Sequence, residues 1–199
     1  ARSLLELYIA ENKLKGEQID RLGCLANLEV LNISFNEVYE LADCLFNLRH
    51  LRELYASAAF LAQLNERIEQ LPNLKILMLN GNNFTNVPGE LCKVAALSVL
   101  DLSSNNLRYN VLNHPYDWNW NFNPNLQYLN LSNNRRLDIS PKPSTGKAAA
   151  TSNEPDLTEF SSLQRLRLLD YANVGSTQRH FKPSVSLRIR DAPPAGSLR

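Results

Sequence analysis

The residue types best suited to chemistry are few in this chain and widely separated. The histidines are His50, His114 and His180. None has a Cys, Ser or carboxylate at a spacing that would make a nucleophile–base pair or a ligand set. Seven glycines occur, and none builds a Gly-rich phosphate loop. Cys24, Cys44 and Cys92 are an odd, scattered set. That pattern argues against a disulfide framework and against a zinc site, and it predicts three small buried hydrophobes in a reducing compartment. No catalytic residue, cofactor site or metal site is expected in these residues. The sequons at Asn32, Asn83 and Asn130 would point to secretion in isolation. Two of them arise from a strand pattern, Leu-Asn-x-Ser, and the cysteines point the other way.

A repeated amide dominates the chain instead. The pattern L-x-x-L-x-L-x-x-N-x-L recurs with leading residues Leu4, Leu28, Leu51, Leu74, Leu97, Leu126 and Leu163, spaced 24, 23, 23, 23, 29 and 37 residues apart. The Asn slot holds Asn12, Asn36, Asn82, Asn105 and Asn134. Ala59 replaces it in the third copy and Tyr171 in the seventh. This period is that of leucine-rich repeats. The expected fold is an α/β solenoid: a curved parallel sheet on the concave face, with short helices, 3-10 turns and loops on the convex face.

In such a stack each x-L-x-L-x core forms a short strand with its leucines inward. Each Asn side chain bonds backbone groups of its own turn and the next, forming a ladder. Loss of the amide at Ala59 predicts a softer turn over Ser57 to Phe60, and Tyr171 marks the end of the array. In the fourth repeat, Val87, Pro88, Leu91 and Val94 suit a helical turn opened by proline.

The elements divide the chain. Residues 1–137 carry repeats 1–6, with an aromatic, Asn-rich insert at 110–125. Residues 138–162 form a polar Pro/Ser/Thr loop, in which Ser140-Pro141 is a candidate phosphorylation dipeptide. Residues 163–190 hold a degenerate last repeat and a terminal strand over Ser184 to Arg190, whose outer Arg188 and Arg190 would blunt an exposed edge. Residues 191–199 read as a linker to a further domain, and the start inside a repeat reads as a cut from a longer protein. In the insert, Trp118, Trp120 and Phe122 share one face if extended; they either cover the convex side or meet a partner. The longest uncharged apolar stretch, Leu54 to Asn65, is far short of the ~20 residues that span a bilayer.

Net charge is only +1, which gives no general attraction to nucleic acid. Its distribution is uneven. Residues 1–100 hold 9 basic and 12 acidic residues, and residues 101–199 hold 12 and 8. Outward strand positions give two columns across the predicted concave face. One reads Tyr8, Asn32, Tyr55, Met78, Asp101, Asn130, Arg167. The other reads Glu6, Val30, Glu53, Ile76, Val99, Tyr128, Arg165. An apolar middle at Ile76, Met78 and Val99 with charged ends is an arrangement suited to a protein interface. The candidate partner-binding residues are therefore Tyr8, Glu53, Tyr55, Ile76, Met78, Val99, Asp101, Tyr128, Asn130, Arg165 and Arg167.

The block Tyr116-Asp117-Trp118-Asn119-Trp120-Asn121, followed by Leu126-Gln127-Tyr128-Leu129-Asn130-Leu131-Ser132-Asn133-Asn134-Arg135-Arg136-Leu137, resembles the last leucine-rich repeats of fungal adenylate cyclases. The resemblance covers essentially the whole chain; Ala58-Ala59 departs from the pattern. It implies a non-catalytic segment that receives an activated Ras-type GTPase. A distant cyclase domain, not among these residues, would make cAMP from ATP with magnesium. Arg165 and Arg167 would meet the acidic switch region of the GTPase, with Tyr55, Met78 and Tyr128 as anchors. The implied location is cytoplasmic, reaching a membrane only through the partner. The alternatives are an intramolecular scaffold that holds neighbouring domains of the same chain, and the repeat region of a repeat-containing protein phosphatase.

Overall fold

The computed structural model describes residues 3–108, 123, 125–137, 163, 165–171 and 174, together with the backbone of 186–188. The aromatic block of the insert, the polar loop and residues 189–199 lie outside the described residues, and so do the expectations attached to them. Each repeat contributes one three-residue strand. These are β1 (Glu6–Tyr8), β2 (Val30–Asn32), β3 (Glu53–Tyr55), β4 (Ile76–Met78), β5 (Val99–Asp101), β6 (Tyr128–Asn130) and β7 (Leu168–Asp170). They pair in sequence order and in parallel, and β8 (Ser186–Arg188) closes the sheet antiparallel to β7. The central leucines Leu31, Leu54 and Leu77 have no exposed surface. Burying each is worth roughly 1.5–3 kcal/mol, which is why the register follows the leucines.

The convex side is built from tight turns. A four-residue helix, α1 (Gly16–Ile19), runs into a 3-10 turn at Asp20–Cys24. Further 3-10 turns cover Asp43–Asn47, Glu66–Gln70 and Gly89–Lys93. The last has Pro88 at its N-cap, as the sequence predicts. Buried residues of these segments, Ile19, Leu45 with Phe46, Ile68 and Leu91, join the core.

The Asn ladder forms. Oδ1 of Asn36 accepts the N–H groups of Asn12 and Leu14 at 3.1 and 2.8 Å, and its Nδ2 donates to the carbonyls of Ile9, Ile33 and Ser34. Asn82 repeats this with the N–H groups of Ala59 and Leu61 and the carbonyls of Ala56 and Leu79. Asn105 accepts from Phe84 and Asn134 from Leu107. Exposed Asn12 donates to the carbonyl of Ala10. Ala59 is fully buried, and its own N–H is held by Asn82. What it lacks is an acceptor to offer Asn36 and Val38 in the preceding turn. Ala58 and Phe60 on either side of it have φ of 48° and 65°.

A left-handed residue recurs one place before the Asn slot in six repeats: Glu11, Phe35, Ala58, Gly81, Ser104 and Asn133. Only Gly81 and Asn133 are residue types that signal this conformation. The turn is imposed by the stack, not by local preference.

The seventh repeat departs from the predicted register. Tyr128 pairs with Leu168, Leu129 with Leu169 and Asn130 with Asp170. Its leading leucine is Leu166, not Leu163, and the residue in the Asn slot is Val174, not Tyr171. The sequence Leu163-x-x-Leu166-x-x-Leu169 satisfies the pattern in two frames. In the observed frame Leu163 takes the buried place of Leu25, Leu48, Leu71 and Val94, with the N–H of Leu166 on its carbonyl at 2.9 Å. Leu163, Leu166 and Leu169 are then all buried, with Tyr171 packed against them. The predicted frame would have put Leu169 in the strand-exit position that Ser34, Ser57, Ser103 and Ser132 hold in other repeats.

The cysteines also differ from expectation. Cys24 is exposed, and Cys44 and Cys92 are half-buried. They sit on the convex 3-10 turns, whose inward places are already taken by leucine and isoleucine.

Candidate functional site

The outward side chains of β1 to β7 form the candidate site. Along the sheet the first residues of the strands read Glu6, Val30, Glu53, Ile76, Val99, Tyr128, Leu168, and the third residues read Tyr8, Asn32, Tyr55, Met78, Asp101, Asn130, Asp170. Tyr8 is exposed, and Glu53, Tyr55, Ile76, Met78, Val99, Tyr128 and Asn130 are half-buried. They hold the outward positions the alternation assigned.

Arg165 and Arg167 do not. The register places Leu168 and Asp170 where they were expected. Arg167 lies just ahead of β7, in the row that holds Glu29, Arg52, Lys75, Ser98 and Gln127 ahead of the other strands. Arg165 lies two residues earlier and donates to Oδ1 of Asn125 at 2.7 Å. Both are exposed. The basic charge therefore sits on the edge where the chain enters the strands. From β1 to β7 the charged residues of the two central columns are Glu6, Glu53, Asp101 and Asp170, and the antiparallel register sets Arg188 of β8 beside Leu168 at the end of the first column.

Asp101 differs in role as well as in exposure. It is 7% exposed. Its Oδ1 accepts the N–H of Ser103 at 2.8 Å, and its Oδ2 accepts Nδ2 of Asn130 at 3.0 Å. Asn32 and Asn130 likewise accept the N–H of Ser34 and Ser132, each at 3.0 Å. These three side chains close Asx turns that lead the chain out of the strand. The Asn-x-Ser tripeptides at 32–34 and 130–132 are strand exits. The two-residue offset from Asn or Asp to Ser was the available sequence signal for that role.

Tyrosine chemistry is shaped by neighbouring carboxylates. The hydroxyl of Tyr8 donates to Oε2 of Glu6 at 3.0 Å and that of Tyr55 to Oε2 of Glu53 at 2.6 Å. The Glu53 bond, then burial, pushes the Tyr55 phenol up to about 12. The Glu6 bond raises Tyr8. Burial first, then the charges of Asp101 and Asp170, raises Tyr128. All three remain protonated hydrogen-bonding groups near neutral pH. Among the described residues no group of three or more His, Cys, Asp and Glu is placed to hold a metal ion, and no helix is long and apolar enough to cross a membrane.

The leucine-rich-repeat family model matches residues 73–94 and 125–145. The chain is 39% identical over 192 residues, 96% of its length, to an adenylate cyclase of Lachancea kluyveri. It is 44% identical over 178 residues, 87% of its length, to one of Podospora anserina. It spans 10% and 8% of those relatives. A phosphatase of the PHLPP-like kind from Drosophila melanogaster matches at 35% over 139 residues, 69% of this chain and 14% of the relative. Among solved structures, a leucine-rich-repeat protein of Leptospira interrogans superposes with a TM-score of 0.67 at 27% identity, covering 87% of this chain and 38% of that one. The repeats alone are shared across all of these, but these two cyclase matches are longer and closer in sequence than the phosphatase match. The chain is a leucine-rich-repeat segment of the fungal adenylate cyclase kind.

Proposed function

We propose that this segment is a non-catalytic partner-receiving array, which docks a Ras-type GTPase on its sheet face and couples it to cAMP synthesis by a catalytic domain elsewhere in the protein. One observation carries the reading: a continuous outward strip of Tyr55, Ile76, Met78, Val99, Tyr128 and Leu168, half-buried and bordered by charge. An apolar and aromatic centre with a polar rim is the composition of a binding surface. The adenylate cyclase relatives, of which the chain spans about a tenth, support coupling to a catalytic domain elsewhere in the protein.

The test is binding of the 199-residue chain to a Ras-type GTPase loaded with a GTP analogue or with GDP. The expected result is preference for the GTP form, lost in Met78→Glu and reduced in Arg165→Glu/Arg167→Glu, with unchanged thermal unfolding of both variants. Equal binding of the two nucleotide states, or full binding by a folded Met78→Glu chain, overturns the proposal. The two arginines now test only an edge contact, because the register removes them from the centre.

A further inference from the structure

The sheet face contains one tripeptide twice. Glu6-Leu7-Tyr8 forms β1 and Glu53-Leu54-Tyr55 forms β3, with Val30-Leu31-Asn32 of β2 hydrogen-bonded between them. The register sets Glu6, Val30 and Glu53 in one row and Tyr8, Asn32 and Tyr55 in the next. Adjacent strands lie about 4.8 Å apart, so the two Glu–Tyr pairs stand about 10 Å apart across the shorter Val30 and Asn32. The result is a saddle with two aromatic and acidic walls and a small floor.

Three features of the saddle point to a cation. First, each tyrosine hydroxyl is tied to the carboxylate of its own strand, which directs the phenols; Tyr8 is 61% exposed and Tyr55 half-buried. Ring faces carry negative potential and attract a cation placed over them. Second, the two carboxylates lie in one row of the sheet on either side of Val30, so both contribute negative potential to the same face. Third, nothing within the described residues neutralises them. The ion pairs there are Arg52–Glu29, Arg67–Asp43 and Lys93–Glu69. Arg52 adjoins Glu53 in sequence but is committed to Glu29. At the other end of the face, by contrast, both oxygens of Asp101 are already hydrogen-bonded.

We propose that the β1–β2–β3 saddle is a subsite for one arginine side chain of a protein partner. The proposal rests on the reading of this sheet face as a partner-binding surface and adds the chemistry of one contact. Arginine fits better than lysine. Its planar guanidinium stacks on phenol rings and forks toward carboxylate oxygens on both sides, whereas an ammonium is compact and strongly hydrated. Val30 meets the aliphatic part of the side chain, and an acidic partner segment is repelled here.

The experiment titrates the isotope-labelled chain with acetyl-Gly-Arg-Gly-amide and follows the ring and amide signals by NMR. The lysyl, norleucyl and glutamyl tripeptides are run in parallel. The arginyl peptide is expected to shift signals of Tyr8, Asn32 and Tyr55, with the lysyl peptide weaker and the other two silent. Glu6→Gln/Glu53→Gln keeps acceptors for both hydroxyls but removes the charge, and it should weaken arginyl binding about tenfold. Tyr8→Leu/Tyr55→Leu should weaken it while leaving the carboxylates in place. Shifts that are equal for the arginyl and norleucyl peptides, or unchanged in the Gln pair, overturn the subsite. A GTPase arm separates this from the broader reading. If the GTP-loaded protein binds the parent and the Gln pair equally, the subsite is overturned and the docking reading stands. If the arginyl peptide binds as described but no GTPase does, the subsite stands and the GTPase reading falls.

Discussion

Asn82→Ala is the sharpest test of how the stack is held together. Asn82 serves the N–H groups of Ala59 and Leu61, at 3.0 and 2.9 Å, as Asn36 serves those of Asn12 and Leu14. Its Nδ2 also donates to the carbonyls of Ala56 and Leu79, at 2.8 and 2.9 Å. Alanine at 82 would leave two buried N–H groups without an acceptor. An orphaned buried group costs about 1–3 kcal/mol, and water entering beside the exposed Gly81 and Asn83 recovers part of it, so a loss of about 2–4 kcal/mol is expected. The carbonyls add less, since an oxygen with two lone pairs tolerates a lost bond better than an N–H does.

Asn83→Ala is the matched control. Asn83 is exposed, and its amide makes one 3.3 Å bond to the carbonyl of Phe60; its loss should cost under about 0.5 kcal/mol. Urea unfolding followed by far-UV circular dichroism gives the comparison. Amide hydrogen exchange adds a local readout, because stacked repeats can open piecemeal. The Ala59 and Leu61 amides should lose protection before those of Asn12 and Leu14, which Asn36 holds. If the two variants unfold at one midpoint with equal protection of Ala59 and Leu61, the ladder is not what secures these turns.

Three further outcomes follow from the same geometry. Ala59→Asn restores the missing acceptor for Asn36 and Val38 and should raise stability by about 1–2 kcal/mol; a lower urea midpoint would mean that the slot has closed around the alanine. Gly23→Ala should cost about 1–3 kcal/mol, because its Cβ would meet the Cβ of Cys44 at 2.6 Å. Cys44→Ala should not rescue it, since the colliding atom remains. Tyr55 should titrate at about 12, against the ordinary 10.0, in the ring-carbon NMR signals. Because the folded value lies above the unfolded one, the folded state holds this proton more tightly. Its contribution to stability is complete below pH 10 and fades as the pH rises through 12. Glu53→Gln should move the midpoint back toward 10.0, and an unmoved midpoint would sink the assigned cause.

Much of this architecture is legible in the leucines. Six strands fall where x-L-x predicts, because a one-residue slip would turn every leucine to solvent. That constraint weakens where apolar residues are in excess. Between Leu163 and Tyr171 two frames both present leucines inward, and only burial of a fourth apolar residue separates them. No local pattern carries that difference, because it depends on what β6 offers the next strand. The left-handed turn residues were hidden for a related reason: Glu11, Phe35 and Ser104 have no preference for positive φ, and the repeat geometry imposes it. The Asx role of Asp101 was legible from Ser103 two places on, but the columns drew attention to its charge instead.

The register of the last repeat changes the electrostatic logic of the whole face. With Arg165 and Arg167 in the columns, the sheet would run from acidic to basic and one end would attract an acidic partner segment. In the observed frame every charged residue in the columns from β1 to β7 is a carboxylate, Arg188 enters the row only at β8, and Arg52, Lys75 and Arg167 stand just ahead of β3, β4 and β7. From β1 to β7 opposite charges are thus separated across the strands, not along the stack. A partner lying over the sheet would need basic or apolar groups over its centre and acidic groups along the entry edge. Raising the salt concentration weakens both contacts, but reversing charge distinguishes them. Arg167→Glu should slow association through the exposed rim, whereas Glu53→Lys acts at a half-buried central position and should mainly speed dissociation. A partner whose on-rate and off-rate both ignore these two changes does not lie across the strands in this orientation.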